Sequence, residues 1–346
     1  MKGKVVGLDI GATSIKAVWL TKGARGGYTL DAAFITPAPV KGMISESPLD
    51  QEEMAKAIRT IISNSHIQTP FANIALPENQ VYTRVLEMPT LTDKELSSAI
   101  YWEAEQYIPV PLETMVLDWR VLNRSTTPGV TSEKMQVLLV GAPKTLIARY
   151  QKALSLASVI PHVVETEILS SIRALSSTQN FPNSLVVHIG AVSTSLAIVK
   201  DAGIVFTYSI PTGGNAMSRA IASDFGFSIA QAEEYKKTYG IAGGTANGKI
   251  GVALSPILNS LVGEVKKALA FYNEKYKSEN PVAQILLSGG SAKLPGIDAF
   301  FAQSCNITTS IANPWTVVGQ QQLPAEILQN GPDYTIAIGL AMRGYD

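Results

Sequence analysis

Short apolar runs and amphipathic stretches alternate along the chain. Residues 5 to 20, VVGLDIGATSIKAVWL, read as two apolar strands joined by a glycine turn. From about 51 to 65 the apolar residues recur at helical spacing instead, and Asp50 with Glu53 has the spacing of a helix-capping pair. Strands that alternate with helices in this way predict an α/β protein.

The segment from 82 to 161 has a pattern of its own. The predicted strand VYTRVLEMP precedes a helix that Thr92 and Glu95 would cap. Two further strands, MVLDWRVL and EKMQVLLVGAP, and a helix from about 145 to 158 complete the segment. We interpret this βαββα order as a module inserted between two parts of another domain.

After the module, the chain repeats the pattern of its beginning. The stretch LVVHIGAVSTSLAIV, at 185 to 199, can be laid on the first hairpin with Gly190 over Gly11, which puts His188 over Asp9. Self-similarity at an offset of 179 residues indicates a duplicated fold.

The pattern therefore predicts two lobes, each with an attached smaller part. The terminal stretch DYTIAIGLAMRG reads as a helix that packs back on the first hairpin. The four predicted parts are a first lobe (1–81, 162–184 and 315–346), the inserted module (82–161), a second lobe (185–214 and 281–314) and a helical sub-domain (215–280).

Composition narrows the classes of function. Apolar residues make up 46% of the 346 residues and charged residues 16%, and the net charge is zero. A neutral chain has no long-range field to attract nucleic acid or an anionic membrane, so we expect a small molecule or a protein as partner. The single cysteine, Cys305, and the absence of a signal-peptide pattern favour the cytoplasm.

The first glycine turn is a candidate phosphate-binding loop. In DIGATSIK, Gly11 allows a tight turn, Thr13 and Ser14 supply hydroxyls, and Lys16 supplies a cation. Asp9 ends the preceding strand, where it could hold the water shell of Mg²⁺. An ordinary hairpin turn with a hydrogen-bonded aspartate is an equally good interpretation of this string alone.

Three later features favour the phosphate-binding interpretation. The second hairpin repeats the turn with Gly190, Ser193 and Thr194. Glu233 and Lys236 lie one helical turn apart, so a carboxylate for ribose hydroxyls and a cation share one face. In LLSGGSAKLPG, two glycines follow a buried strand, where bare backbone can approach a flat ring.

Taken in this order, the motifs resemble those of the actin, Hsp70 and sugar-kinase superfamily. Within it, residues 3 to 344 resemble the PilM family of type IV pilus assembly proteins, and more distantly the division protein FtsA. The stretch TRVLEMPTLTDKELSSAIYWEAEQYIPVPLETMVLDWRVL carries most of this likeness, together with NPWTVV and IAIGLAMRG. The resemblance implies a duplicated, actin-like (ribonuclease H-like) two-lobed α/β fold with an inserted sub-domain.

The resemblance also implies ATP or ADP as cofactor, with Mg²⁺ held through water by Asp9. Glu167 is the candidate catalytic residue, because it lies where actin-like ATPases keep the residue that positions the attacking water. The implied phosphate contacts are Gly11, Ala12, Thr13, Ser14 and Lys16 in the first loop and Gly190, Ala191, Ser193 and Thr194 in the second. The remaining implied nucleotide contacts are Gly213, Gly214 and Asn215, then Glu233 and Lys236 at the ribose, and Gly289, Gly290 and Ser291 at the adenosine end.

His188 departs from the family pattern, which has an aspartate in the Mg²⁺ shell at this position. Because hard Mg²⁺ prefers oxygen ligands, we expect His188 to weaken the metal site. Three alternatives stay open: a neutral histidine hydrogen-bonded within the sheet, a contact to phosphate or a metal-bound water, or a site that no longer binds nucleotide. Since Asp9 and Lys16 remain, we expect the protein to bind ATP or ADP but to hydrolyse it poorly.

The resemblance implies protein partners as well. Proteins of this family bind the cytoplasmic N-terminal tail of the membrane protein PilN, in a groove between the first sub-domain and the inserted module, and link it to the pilus assembly ATPases. Such a protein reaches the cytoplasmic face of the inner membrane through its partner alone. Tyr101, Trp102, Tyr107 and Ile108 are candidate groove residues, with core packing as the alternative.

Other classes of protein remain as alternatives. A small-molecule kinase of the same superfamily would need a catalytic base aimed at a substrate hydroxyl. A filament former similar to actin or FtsA, and a platform of a type II secretion system, are also compatible with these residues.

Overall fold

The structure is a computed structural model that describes residues 5–23, 26–124, 134–177, 181–201, 203–242, 247–276, 280–319 and 321–345. The strands are β1 (Val6–Ile10), β2 (Ser14–Lys22), β3 (Tyr28–Pro37), β4 (Phe71–Leu76), β5 (Tyr82–Pro89), β6 (Met115–Arg124), β7 (Lys134–Pro143), β8 (Ile160–Thr166), β9 (Ser184–Ile189), β10 (Thr194–Lys200), β11 (Gly203–Ile210), β12 (Gln284–Ser288) and β13 (Thr308–Ile311). The α-helices are α1 (Pro48–Asn64), α2 (Asp93–Tyr107), α3 (Lys144–Leu156), α4 (Glu167–Leu175), α5 (Gly214–Phe225), α6 (Ile229–Tyr239), α7 (Asn247–Tyr276), α8 (Ile297–Cys305), α9 (Ala325–Gln329) and α10 (Thr335–Arg343).

Two five-stranded sheets of the same topology form the centres of the two lobes. The strand order is β3-β2-β1-β4-β8 in the first and β11-β10-β9-β12-β13 in the second. In each sheet the first three strands are antiparallel, and the last two join the central strand in parallel. The predicted duplication is therefore confirmed as a repeated sheet topology.

Helices cover both faces of the first sheet. On one face, α1 and α3 bury their apolar sides in a common core with β1 and β4. On the other face, α10 packs against α4 and the sheet, so the terminal helix returns to the first unit as the sequence predicts. Helices α10 and α4 approach so closely that a Cβ on Gly339 would overlap the carbonyl oxygen of Ser170. Only glycine therefore fits at position 339.

The start of α1 differs from the prediction. The helix begins at Pro48, a residue whose fixed φ suits the first helical position, and not at 51. Asp50 accepts a hydrogen bond from Ser45 and pairs with Lys41, so the predicted cap with Glu53 is wrong. The second predicted cap is confirmed, because Thr92 and Glu95 form a complete capping box at the start of α2.

The inserted module has the predicted element order. Its three strands form an antiparallel sheet in the order β5-β7-β6, and α2 packs on one face of this sheet in a separate core. The last helix of the βαββα order, α3, contributes Leu146, Tyr150 and Leu154 to the core of the first lobe. The residue limits of the four parts stay a prediction.

The second lobe packs α5, α6, α7 and α8 on its sheet, around the largest apolar cluster of the described residues. The inserted module contacts this lobe directly. Thr207 Oγ1 on β11 donates to Thr83 O at 2.9 Å, and Lys275 Nζ on α7 lies 2.7 Å from Glu87 Oε1. Within the described residues, no helix has the length and apolar character needed to cross a bilayer.

Candidate nucleotide site between the lobes

Three acidic residues lie at one edge of the first sheet. Because β1, β4 and β8 are parallel, their carboxyl ends meet at this edge, which is where open α/β sheets bind ligands. Asp9 lies near the end of β1, Glu78 follows β4, and Glu167 follows β8. The sequence predicts roles for Asp9 and Glu167, and the topology adds Glu78.

The first hairpin pairs a carboxylate with a cation. Asp9 and Lys16 are opposite each other in the β1–β2 ladder, and Lys16 Nζ lies 3.1 Å from Asp9 Oδ2. The side chains are 12% exposed for Lys16 and 4% for Asp9. Gly11 N–H closes the turn by donating to Ser14 O at 3.1 Å. A Cβ on Gly11 would lie 3.3 Å from Lys16 Nζ, so the ammonium lies over a bare turn.

The second hairpin is closed in the same way. Gly190 N–H donates to Ser193 O at 2.9 Å, and the start of α5 supports the turn through Gly214 N–H, which donates to Gly190 O at 2.9 Å. A Cβ on Gly213 would lie 2.6 Å from that same carbonyl, so this approach requires glycine. The Thr194 hydroxyl donates to Thr212 O at 2.7 Å and is therefore bound within the fold.

His188 lies inside the second sheet. Its Nδ1 is 3.0 Å from Ser288 Oγ, on the neighbouring parallel strand β12. Burial, and then the positive charge of Lys16, lower the pKa of His188 to about 3, so the imidazole is neutral. This geometry matches the first of the three alternatives for His188.

Glu233 and Lys236 on α6 form an ion pair that packs against α5, with Lys236 buried and Glu233 about one third exposed. Lys236 Nζ donates to Glu233 Oε2 at 2.6 Å, to Ser218 Oγ at 2.9 Å and to Gly214 O at 3.1 Å. Burial lowers the pKa of Lys236. Burial opposes ionisation of Glu233, but the hydrogen bonds from Lys236 and Ser218 hold the pKa of Glu233 below its usual value. The pair therefore packs against the start of α5, and its role at the ribose stays a prediction.

The glycines after β12 join the same group. Gly289 has a φ of +83°, and a Cβ there would lie 2.6 Å from Ile189 O. A Cβ on Gly214 would overlap Ser291 Oγ and would lie 3.3 Å from Lys236 Nζ. The segments predicted for ribose and adenosine are thus brought together beside the second hairpin.

Glu167 lies half-buried at the start of α4. Burial, with a further contribution from the charge of Asp9, raises the pKa of Glu167 to about 8, so its carboxyl is mostly protonated at pH 7. Glu78 N–H donates to Glu167 Oε2 at 3.3 Å. Burial also raises the pKa of Glu78. Sequence reasoning missed Glu78, although an acid directly after the apolar strand NIALP carried the signal.

The residues fit a nucleotide with a weakly held Mg²⁺. Glycine turns, a cation and a helix start are groups of the kind that hold phosphate, and Asp9 is a carboxylate of the kind that Mg²⁺ uses beside phosphates. Among the described residues, no group of three or more His, Cys, Asp and Glu side chains could hold a metal by itself. A surface cavity of about 350 Å³ lies elsewhere, between the end of α1 and the start of β8, and contains none of the predicted site residues.

The repeated sheets, the two glycine hairpins and the inserted module define an actin-like protein with two lobes. MreB5 of Spiroplasma citri, solved with AMPPNP, shares this fold at 14% identity and a TM-score of 0.51, over 97% of this chain and 94% of that one. More specifically, residues 7–345 match the family described as type IV pilus assembly protein PilM, and the chain belongs to that family.

Individual relatives agree with this assignment. The solved PilM–PilN type IV pilus biogenesis complex has a chain that is 28% identical, with a TM-score of 0.84 and 100% of both chains covered. The cell division protein FtsA of Streptococcus pneumoniae serotype 2 is 24% identical over 337 residues, which cover 86% of this chain and 72% of FtsA. FtsA of Escherichia coli K12 is 20% identical over 385 residues, which cover 98% of this chain and 90% of FtsA.

Proposed function

We propose that this protein is a cytoplasmic scaffold of type IV pilus assembly that binds ATP or ADP between its lobes. It captures the N-terminal cytoplasmic tail of a PilN-like membrane protein and connects it to the assembly ATPases. The observation that carries the nucleotide part is the Asp9–Lys16 pair beside the first glycine turn, where the parallel strands of the first sheet end. Membership of the PilM family supports the assembly role.

Each hairpin contributes a different part of the proposed nucleotide site. Lys16 and the backbone of Gly11 to Ser14 hold phosphate oxygens from one side, and Gly190 to Thr194 hold them from the other. A phosphate attracts Lys16 and so leaves Asp9 available for the waters of Mg²⁺. Glu233 binds the ribose, and the backbone of Gly213 to Asn215 and of Gly289 to Ser291 approaches the nucleoside.

Hydrolysis is slow in this proposal for two reasons. Catalysis of phosphoryl transfer depends on positioning and on charge neutralisation by metal and cations, and neutral His188 supplies no second carboxylate for the metal. Glu167, with a pKa of about 8, is mostly protonated at neutral pH and is a weak acceptor for the proton of a water. The nucleotide then acts by shifting a conformational equilibrium and not by turnover.

The partner surface belongs to the inserted module in this proposal. Trp102 is 73% exposed and Tyr101 51%, so both are available on α2 for an extended peptide with apolar side chains. Arg84 stacks on the Tyr107 ring, with its Cζ 4.1 Å from the ring centroid, and Ile108 is buried in the core of the module. The PilM–PilN complex supports a PilN-like partner.

A calorimetric titration of ATP and of ADP into the purified protein tests the nucleotide part, once with Mg²⁺ and once with EDTA. We expect binding in both, tighter with Mg²⁺ by less than about tenfold, because one carboxylate holds the metal. Lys16→Ala removes the phosphate cation, and Lys22→Ala, an exposed lysine on the same strand, is the matched control. Absence of binding in all conditions contradicts the nucleotide part of the proposal.

A second titration tests the partner. A synthetic peptide of the cytoplasmic tail of a PilN-like protein from the same organism is added to the wild-type protein and to Trp102→Ala. Binding to the wild type supports the scaffold role, and weaker binding to the variant places the groove at α2. Failure of the tail to bind contradicts the role in PilN capture, whatever the result with ATP.

A further inference from the structure

The glycine turn after β12 is joined to the segment that precedes α10. Gly289 N–H donates to Pro332 O at 3.0 Å, which connects the two segments through their backbones. Gly289 also approaches the second hairpin, because a Cβ there would lie 2.6 Å from Ile189 O at the end of β9. The turn predicted for the adenosine end is therefore held by the second hairpin and by the C-terminal part of the chain.

An ion pair joins the same two segments through side chains. Lys293 ends the 3-10 turn Gly290–Lys293, and its ammonium contacts Asp333 Oδ2. Lys293 Nζ also donates to Asn330 Oδ1 at 2.6 Å. Asp333 Oδ1 lies beside the glycine turn itself, 3.0 Å from the position that a Cβ on Gly290 would take. Neither the sequence motifs nor the proposed function assigns a role to Lys293 or Asp333.

The two partners are anchored in different lobes. Ala292 and Leu294, on either side of Lys293, are buried in the core of the second lobe. Tyr334, the residue after Asp333, is buried with Val18 and Leu20 of β2, and α10 then packs on the first sheet. The ion pair therefore connects the two lobes at the glycine turn.

The pair is partly shielded from water. The Asp333 side chain is 10% exposed and the Lys293 side chain 35%. An acid is rarely buried to this extent unless it is paired, and removal of the partner would leave its charge without compensation. A change at Lys293 is therefore expected to affect the position of Asp333 and of the turn beside it.

We propose that Lys293 and Asp333 are positioning residues for the nucleoside end of the site, because their ion pair fixes the Gly289–Gly290 turn against the second hairpin and joins it to the first lobe. The positioning role rests on the function proposed above, whereas the tie between the two segments does not. The turn belongs to the nucleoside end in that proposal, and the phosphates are bound elsewhere. Loss of the pair should therefore weaken ADP and ATP binding by the same factor.

Amide hydrogen exchange on the full chain without nucleotide tests the tie. In Lys293→Met and in Asp333→Asn we expect exchange about tenfold faster at 289–293 and at 330–334, because a charge-assisted contact between these segments is lost. Lys293→Arg keeps the positive charge and should stay close to the wild type. Lys267→Met removes the same charge from a pair on the surface of α7 and should change neither segment.

Two results overturn the tie. One is unchanged exchange at both segments in Lys293→Met. The other is equally faster exchange throughout both lobes, which indicates a general loss of stability. Since Lys293 is about one third exposed, Lys293→Met decides the question even if Asp333→Asn does not fold.

Calorimetric titration of ADP and of ATP tests the positioning role. In Lys293→Met we expect both affinities to fall about tenfold and by the same factor, with Lys293→Arg restoring them and Lys267→Met leaving them unchanged. Unchanged affinities in Lys293→Met overturn the positioning role. A larger loss for ATP than for ADP also overturns it, because that result places Lys293 at the γ-phosphate.

The two experiments separate this inference from the proposed function. A wild type that binds neither nucleotide contradicts the proposed function and the positioning role together. The exchange experiment without nucleotide still decides whether Lys293 and Asp333 tie the two segments.

Discussion

Lys16 Nζ lies 3.1 Å from Asp9 Oδ2, so the cation proposed for phosphate is held by the carboxylate proposed for the metal. Both side chains are nearly buried, and the pair spans the first hairpin directly beneath its glycine turn. The arrangement keeps both charges in place before a nucleotide arrives, which lowers the cost of ordering them on binding.

Replacing Lys16 by alanine is expected to weaken ATP and ADP binding by about ten- to a hundredfold, since a charge-assisted hydrogen bond contributes about 1.5–3 kcal/mol. Lys22→Ala is expected to leave the affinity unchanged, because Lys22 is exposed at the far end of β2. Calorimetry measures both. Equal affinity in the wild type and in Lys16→Ala contradicts the assignment of the phosphate site.

Stability is expected to depend on pH through His188. The pKa of this residue is about 3 in the folded protein and about 6.5 when unfolded, so the unfolded chain takes up a proton first as pH falls. The neutral imidazole makes its full contribution to the free energy of unfolding above about pH 6.5. This contribution is lost as the pH falls toward 3, at up to about 1.4 kcal/mol per pH unit.

Urea unfolding of the wild type and His188→Asn at pH 7.5, 6.5 and 5.5 measures this contribution. The free energy of unfolding of the wild type is expected to fall more steeply with acid than that of the variant. His162→Asn removes an exposed histidine and should follow the wild type. Parallel curves for the wild type and His188→Asn would show that the buried imidazole is not kept neutral.

The Glu87–Lys275 ion pair is expected to hold the inserted module against the second lobe. Both side chains are about one third exposed, so solvent screens the pair and we expect a coupling of about 0.5–1 kcal/mol in a double-mutant cycle. Glu87→Lys and Lys275→Glu each increase proteolysis near β5, and the double reversal restores protection. The same reversal of Glu264 and Lys267, a pair within α7, is the control. A double reversal that stays as sensitive as the single variants would mean that the contact is not an ion pair in solution.

Gly339→Ala is expected to destabilise the first lobe by about 1–3 kcal/mol or more, because the added methyl overlaps the Ser170 carbonyl. Gly263→Ala is the control. Gly263 lies inside α7 with no atom within 4 Å of its would-be Cβ, so alanine there should stabilise by up to about 1 kcal/mol. Thermal unfolding distinguishes the two, and an unchanged midpoint for Gly339→Ala contradicts the close packing of α10 on α4.

Local patterns were enough to predict the duplicated hairpins, because the apolar strands and the glycine turn between them are adjacent in the sequence. The capping box at Thr92 was predictable for the same reason. The start of α1 was not predicted. Both Pro48 and Asp50 are typical of helix starts, and the apolar periodicity does not distinguish between them. The placement of α3 also depends on tertiary packing, because its apolar face could have covered either sheet.

The parts of the site that the sequence did not predict depend on contacts between distant residues. The partner of His188 is Ser288, one hundred positions away, and only the parallel pairing of β9 with β12 brings them together. Glu78 becomes part of the site only once β4 is known to lie between β1 and β8. A single sequence states neither pairing.

The burial of the acids beside Lys16 determines what can approach this site. With all side chains ionised, Asp9, Glu78 and Glu167 against one lysine would form a region of net negative charge that repels phosphate. Burial keeps Glu167 mostly protonated and raises the pKa of Glu78, and His188 carries no charge. These upward pKa shifts of two acids reduce the negative charge that a phosphate meets beside Lys16.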